Sequence, residues 1–589
     1  MPPLPPSPAP SPSAPPRRRA PAALLLACAG LLVHPSCGTG GEDGGAAPGF
    51  PDAGTGTPEC FSSNDCPTGW SCTEFGVCLP PSEQPGEAPP PPEREYELSA
   101  PVSSLRYVYV AMTEEDRLAR IDGETLEVRS LGVGERPEVV ATVPGGDGAV
   151  VLDAVNGAAT ILVPAPDGDF AVTLPTLPNL NRLDVAPDGR HALAWFDLDQ
   201  AVADAGGLGA VERVGSFQDV TVLRLPAPAA SPETEPTAPL SIDLTVGFRP
   251  RAVHFDDSGA RAYVITEDGI SVIALAAIAD QGPGIVAPIP VSTDPLADPA
   301  AMEVLVMPTG ELAVVREAGR AELRLVRWSD DARPSLETVP LPAPPTDVDL
   351  HPLGHQAFAV LRETSTLAVV SLPPVPEEPA TVELIDLDGA AVGSLALSPD
   401  GARGVLFTNA EAAEQVTVIE LDQPDRPHRV WPLQKSVRAV HFAPDGRSAV
   451  IVHAKAPGDP GAAVDFDEFI DKSHGYSVFD TATGFAKLQI TPVTPGPPAF
   501  ARAAPRAYLT LDGGDADGAV TAVHVLELDT GVVRSERLSS PPETVGVLPE
   551  AGVAFVGQRH PLGRISFLPV ADGPVRTITG FDLNSRIID

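Results

Sequence analysis

Short apolar runs with a two-residue alternation recur along residues 102–589, each closing on a tight turn. No stretch there keeps the 3.6-residue apolar period of a helical repeat. NRLDVAPDGRHALAWF from Asn181, RAVHFDDSGARAYVITEDGISVIAL from Arg251, GSLALSPDGARGVLF from Gly393 and RAVHFAPDGRSAVIVH from Arg438 show the unit. Each reads as strand, turn, strand, with further strands before the pattern restarts. In the Pro-Asp-Gly turns proline presets φ and glycine tolerates a positive φ. The turn glycines align at Gly148, Gly189, Gly259, Gly310, Gly354, Gly401, Gly446 and Gly552, with spacings of 41, 70, 51, 44, 47, 45 and 106 residues. The 106 holds two repeats with a weak member near Ala504, and the 70 contains an insertion from Gln200 to Ser216.

A period of about 40–50 residues with four strands is the mark of a β-propeller blade, so an all-β fold is expected. A lone four-stranded sheet cannot bury both apolar faces, so the blades must stack around an axis until the ring closes. Ten repeats are counted, and because no proline-rich linker divides them one continuous ring is expected. The first repeat opens at Leu105 with YVYV, in the register of second strands, so its own first strand looks missing. The last ten residues, GFDLNSRIID, are expected to supply it as an innermost strand and so remove an exposed edge.

RYVYVAMTEEDRLARIDGETLEVRSLGVGERPEVVA from Arg106 and ARAYVITEDGISVIAL from Ala260 resemble the YVTN-type repeats of WD40-like and lactonase-like β-propellers. The resemblance covers most of residues 101–589 through short, degenerate strings. It implies the fold and no particular activity, since propellers host binding proteins, lactonases and redox enzymes alike.

The N-terminal part reads differently. Arg17, Arg18 and Arg19 precede the apolar stretch Ala20 to Val33, and no acidic residue occurs before Glu42. That is a secretory leader, too short to span a bilayer. Cys28 in LLLAC and Cys37 in VHPSCGTGGEDGG are the candidates for lipidation, with Cys37 preferred because its Gly/Ala-rich sequel resembles the tether of bacterial lipoproteins. Neither Ala29 nor Gly38 is the aspartate that signals inner-membrane retention in such proteins, so the resemblance implies an outer-membrane or cell-surface location, anchored through lipid. The expected organisation is a leader at 1–37, a tether at 38–59, a four-cysteine module at 60–78, a proline-rich stalk at 79–101 and the propeller at 102–589. Cys60, Cys66, Cys72 and Cys78 are evenly spaced in an exported segment and read as two disulfides, with three pairings open and a metal site as the rival.

Composition narrows the function. Lys+Arg 39 against Asp+Glu 79 gives a net charge of −40, which repels phosphate backbones and excludes nucleic-acid binding through a basic patch. No G-x-S-x-G elbow, H-E-x-x-H, Walker loop, G-x-G-x-x-G after a strand or C-x-x-C-H is present.

Candidate ligands come from register. Five residues before the turn glycines stand Asp184, His254, Leu305, Asp349, Ala396, His441 and Val547. Asp184, His254, Asp349 and His441 are expected near the axis, where they could hold a metal or polar ligand, or make local hydrogen bonds. Asp512, Asp515 and Asp517 in DGGDADG loosely resemble a calcium loop, and Asp465, Asp467 and Asp471 lie in DFDEFID. Either could take Ca2+, or be a solvated acidic loop. The insertion between Pro457 and His474, with Phe466, Phe469 and Tyr476 among carboxylates, is the best partner-binding candidate. The expectation is a monomeric, lipid-anchored binding scaffold for a protein, glycan or small ligand, without a cofactor unless it is Ca2+. The alternatives are a lactonase-like or metal-dependent hydrolase, and a structural envelope component.

Overall fold

The computed structural model describes residues 60–62, 65–68, 70–72, 76–79, 96–165, 168–207, 216–226, 238–294, 296–329, 332–373, 378–514 and 520–588. The leader, Cys28, Cys37, the tether, most of the stalk, Asp515 and Asp517 lie outside them. The chain divides into two units, Met1–Pro92 and Glu93–Asp589.

In the first unit Cys60 is bonded to Cys72 and Cys66 to Cys78. Strand Ser71–Cys72 pairs antiparallel with Cys78–Leu79. A module this small has little apolar area to bury, so the two crosslinks take the place of a core. They also occupy all four sulfurs, which removes the metal alternative there.

The second unit is a ten-bladed β-propeller. A typical blade, the sixth, runs Asp347–Leu350, Gln356–Leu361, Thr366–Ser371 and Thr381–Asp386, up and down from the axis to the outer edge. Its second and third strands are almost wholly buried, whereas the fourth faces water. Each seam between neighbouring blades carries its own apolar cluster, ten in all. The ring therefore closes through packing. The last seam sets Phe555, Phe567 and Leu548 of blade ten against Val108, Val110 and Ile121 of blade one.

Seven of the eight aligned turn glycines have left-handed backbones, between 63° and 76° in φ. Gly148 does not. In blade two the turn's hydrogen bonds put Gly146 in the equivalent place, two residues earlier than the alignment, and the left-handed residue is its neighbour Gly145.

The tail corrects one expectation. Blade one has its own innermost strand, Val102–Ser103, paired with Val108 and Tyr109. Leu98 extends it by bridging Met112, so residues 96–101 run with the ring rather than with the stalk. The C-terminal Ser585–Ile588 instead joins the outermost strand of the same blade, Val128–Gly132, in parallel. The reason is reach. The chain leaves blade ten at its outer strand, Arg576–Thr579, and only Gly580 to Asn584 intervene, coiled into the short helix Phe581–Asn584. Returning to the axis would cross three strand spacings, about 14 Å.

Blade four is also irregular, with three strands: Pro250–Phe255, Arg261–Thr266 and Gly269–Ala274. In place of a fourth, Gly284–Ile285 adds in parallel to blade three's outer strand, and Ile289 makes a single bridge to Ile270. The segment contains Pro283, Pro288 and Pro290, and each proline removes a ladder donor.

Candidate functional site

Asp184, His254, Asp349 and His441 lie on innermost strands, Arg182–Val185, Pro250–Phe255, Asp347–Leu350 and Val437–Phe442, as do Leu305, Ala396 and Val547. Their partners across the ladder are Leu193, Tyr263, Phe358 and Val450. All four partners belong to apolar seams, so the polar side chains share those faces at the seams' inner ends.

The ring does not converge them. Asp184 and His254, on neighbouring blades, feel each other's charge. Burial raises the Asp184 carboxyl, although the Trp195 indole N–H donates to it at 2.6 Å, and burial pushes His254 down. His441 is lowered by burial alone. Asp349 is the most perturbed. Burial first, then the charges of Asp347 and Glu303, push it up to about 7, and its Oδ2 is buried without a hydrogen-bond partner. Asp347 is itself raised by burial while accepting the Leu395 N–H at 2.8 Å, and Glu303 pairs with Arg316 at 2.7 Å. Register counting missed Asp347 and Glu303. The alternation in Asp347-Val-Asp349 was the available signal, since residues two apart share a face. Among the described residues, one group of three His, Cys, Asp or Glu side chains brings its ligand atoms within 4.8 Å of one another, and it is Cys60, Cys66 and Cys72.

The second feature is a rim. In an up-and-down blade the second-to-third connections and the passages to the next blade lie at one end of the ring. The first-to-second turns lie at the other. Two long insertions of the second-to-third kind share the former rim: one in blade three with helix Leu198–Ala205, the other in blade eight with helix Phe466–Lys472. Where blade four lacks its fourth strand, the same rim opens into a cleft of about 620 Å³. Ile265, Val291, Met302 and Val304 form its apolar side, beside Asp199, Asp268 and Arg251. Arg251 donates to the Pro299 carbonyl at 2.7 Å, and Asp268 accepts the Phe248 N–H at 2.8 Å.

Asp512, at the end of blade nine's second strand, and the helix that carries Asp467 and Asp471 are on this rim too. Asp512 accepts two hydrogen bonds from Arg559, at 2.9 and 3.0 Å, and the Gly514 N–H at 2.8 Å, so its carboxylate is already engaged. Asp465 caps its helix by accepting the Glu468 N–H at 2.8 Å. Asp467 lies in the first turn of that helix and Asp471 near its end, and the three do not gather. Tyr476, grouped with the insertion by sequence, belongs to the strand His474–Asp480, where it is buried with its hydroxyl 2.9 Å from His524 Nδ1.

No protein-family model matches the chain, and no curated protein matches it. Several solved structures resemble it weakly. Apo AztD from Citrobacter koseri aligns at 12% identity over 67% of this chain and 96% of that one, with a TM-score of 0.36. A Bacteroides uniformis protein described as a candidate 6-phosphogluconolactonase aligns at 16% identity over 60% and 96%, TM-score 0.31. A eukaryotic initiation factor aligns at 10% identity over 76% and 96%, TM-score 0.40. At these scores nothing is carried from those proteins to this one.

Proposed function

We propose that the chain is an exported, lipid-anchored surface propeller whose insertion-bearing rim binds a protein, glycan or small ligand. The observation that supports this is the gathering of both helix-bearing insertions and the cleft of about 620 Å³ on one rim. Rigid rings present function on their loops, and a concave site with an apolar side and a few polar groups is the usual form of a ligand site. The anchor rests on the leader and on Cys37 or Cys28. The sign of the −40 charge suits a chain that stays off an anionic bilayer and away from nucleic acid.

The test is position-specific photocrosslinking in the envelope of the source cells. A crosslinking residue at Leu296 or Val464, both exposed on the insertion rim, should give discrete adducts, and one at Leu353 on the opposite rim should give none. Adducts from neither rim would favour a structural envelope component.

Asp349 supports a second reading, a hydrolase. A carboxyl that exchanges its proton near neutral pH with an unpartnered oxygen is suited to acid–base work. Lactone hydrolysis by the purified chain, lost in Asp349→Asn, would establish it. Stoichiometric divalent metal lost on Asp184→Ala or His441→Ala would establish its metal-dependent form.

A further inference from the structure

We propose that the helix Phe466–Lys472 is a docking surface for an arginine-bearing, cationic segment of a partner protein, which rests on the rim reading above and adds the partner's chemistry to it. Phe466 and Phe469 are three residues apart and share a helix face. Their rings stack at 6.2 Å with planes 20° apart, and they are 72% and 36% exposed. Val464, 89% exposed, precedes them. Single apolar residues on a surface need no explanation, whereas a stacked aromatic pair offers a partner a contiguous apolar face.

The helix is firmly held. Lys435, with no exposed surface, donates from Nζ to the Ile470 carbonyl at 2.8 Å and the Asp471 carbonyl at 2.7 Å. A cation at a helix C-terminus is favourable, and a buried ammonium is tolerated only when hydrogen-bonded. Ile470 is buried beneath the helix, and Ser473 Oγ donates to the Phe469 carbonyl at 2.6 Å. Lys435 thus fixes the end of the helix that carries the two phenyl rings.

Charge complementarity selects the occupant. Asp459, Asp465, Asp467, Glu468 and Asp471 crowd this insertion. Its own lysines are engaged, Lys455 with the Gly458 carbonyl at 2.9 Å and Lys472 with Glu468. Asp467 is exposed and makes no hydrogen bond or ion pair among the described residues. A guanidinium can lie flat on a phenyl face while the insertion's carboxylates attract its charge, a combination that suits an ammonium less well. An acidic segment would be repelled.

Fluorescence anisotropy on the full chain tests this with a labelled twelve-residue peptide of alternating arginine and glycine, and with lysine and glutamate versions. The arginine peptide should bind with an affinity that falls as salt rises, the lysine version more weakly, and the glutamate version not at all. Phe466→Ala combined with Phe469→Ala should weaken binding about tenfold without moving Tm, and Asp467→Asn about threefold. Asp425→Asn, in an exposed loop of the opposite rim, should leave it unchanged. Equal affinity for the arginine and lysine peptides, or for wild type and the double variant, would reduce the effect to diffuse charge and overturn the proposal. Failure of the arginine peptide while Val464 crosslinks persist overturns the partner chemistry and leaves the rim reading standing. Loss of the crosslinks overturns the rim reading.

Discussion

Half-buried Asp349 and buried His453 give the chain opposite responses to pH. Asp349 is raised to about 7 by burial and its acidic neighbours, so the folded state holds its proton longer than the unfolded state does. Its contribution is complete below pH ~4 and is lost as pH rises through about 7. His453 is pushed down to about 4 by burial, with Nε2 2.7 Å from Ser477 Oγ. Its contribution is complete above pH ~6.5 and is lost as pH falls through about 4. Urea midpoints should therefore fall between pH 5.5 and 8 in wild type and fall less in Asp349→Asn. Between pH 6.5 and 4, His453→Gln should flatten the acid limb. A tyrosine recurs at the third position of second strands, as Tyr109, Tyr263 and Tyr508. Tyr263 donates to the Gly310 carbonyl in the next blade's turn at 2.8 Å, whereas the buried Tyr508 hydroxyl has no hydrogen-bond partner. Tyr263→Phe should lower unfolding free energy by about 1 kcal/mol and Tyr508→Phe should leave it nearly unchanged, both read from urea titrations. Tyr263 is visible in the AYVI string, and counting back from the turn glycines places Asp184, His254, Asp349 and His441 on innermost strands. Which of them share a seam depends on blade order around the axis, and that is three-dimensional information no local spacing carries.

Lys435 and the blade-eight insertion form an element that should open independently of the ring. Lys435→Met removes the ammonium that holds the Ile470 and Asp471 carbonyls. Amide exchange should accelerate across residues 456–473 and stay slow in strands Ser448–His453 and His474–Asp480. Uniform acceleration through blade eight would mean the lysine supports the blade itself. Sequence reading found the insertion through its phenylalanines among carboxylates. It could not find the lysine, because LQKS in a loop has the look of any solvated cation and burial leaves no mark on spacing. Blade four teaches a related lesson. The run of prolines after Pro283 was a legible warning against a fourth strand, but the regular period counted from turn glycines masked it, since the turn at Gly310 keeps its place whether or not a strand precedes it.

At the scale of the molecule, ring closure depends on the seam between blades ten and one, not on the tail. Deleting residues 585–589 should therefore change Tm little, whereas Phe555→Ala in that seam should cost about 3–5 kcal/mol of unfolding free energy. The number of blades was legible because turns repeat at a fixed interval. The position of the tail was not, because a four-residue strand carries no sign of which edge it will join. The anchor is a separate matter of processing. Cys37→Ser or Cys28→Ser should abolish palmitate incorporation, and retention of label in both would dismiss the lipoprotein reading. Everything proposed for the rim requires a single closed ring that holds the insertions of blades three and eight at one end. Electron-microscopy averages of the purified chain viewed along the axis measure this most directly. They should show ten petals in one unbroken circle, and an open arc, a split pair of smaller rings or a gap between the first and last petals would mean that no closed ring holds the two insertions together.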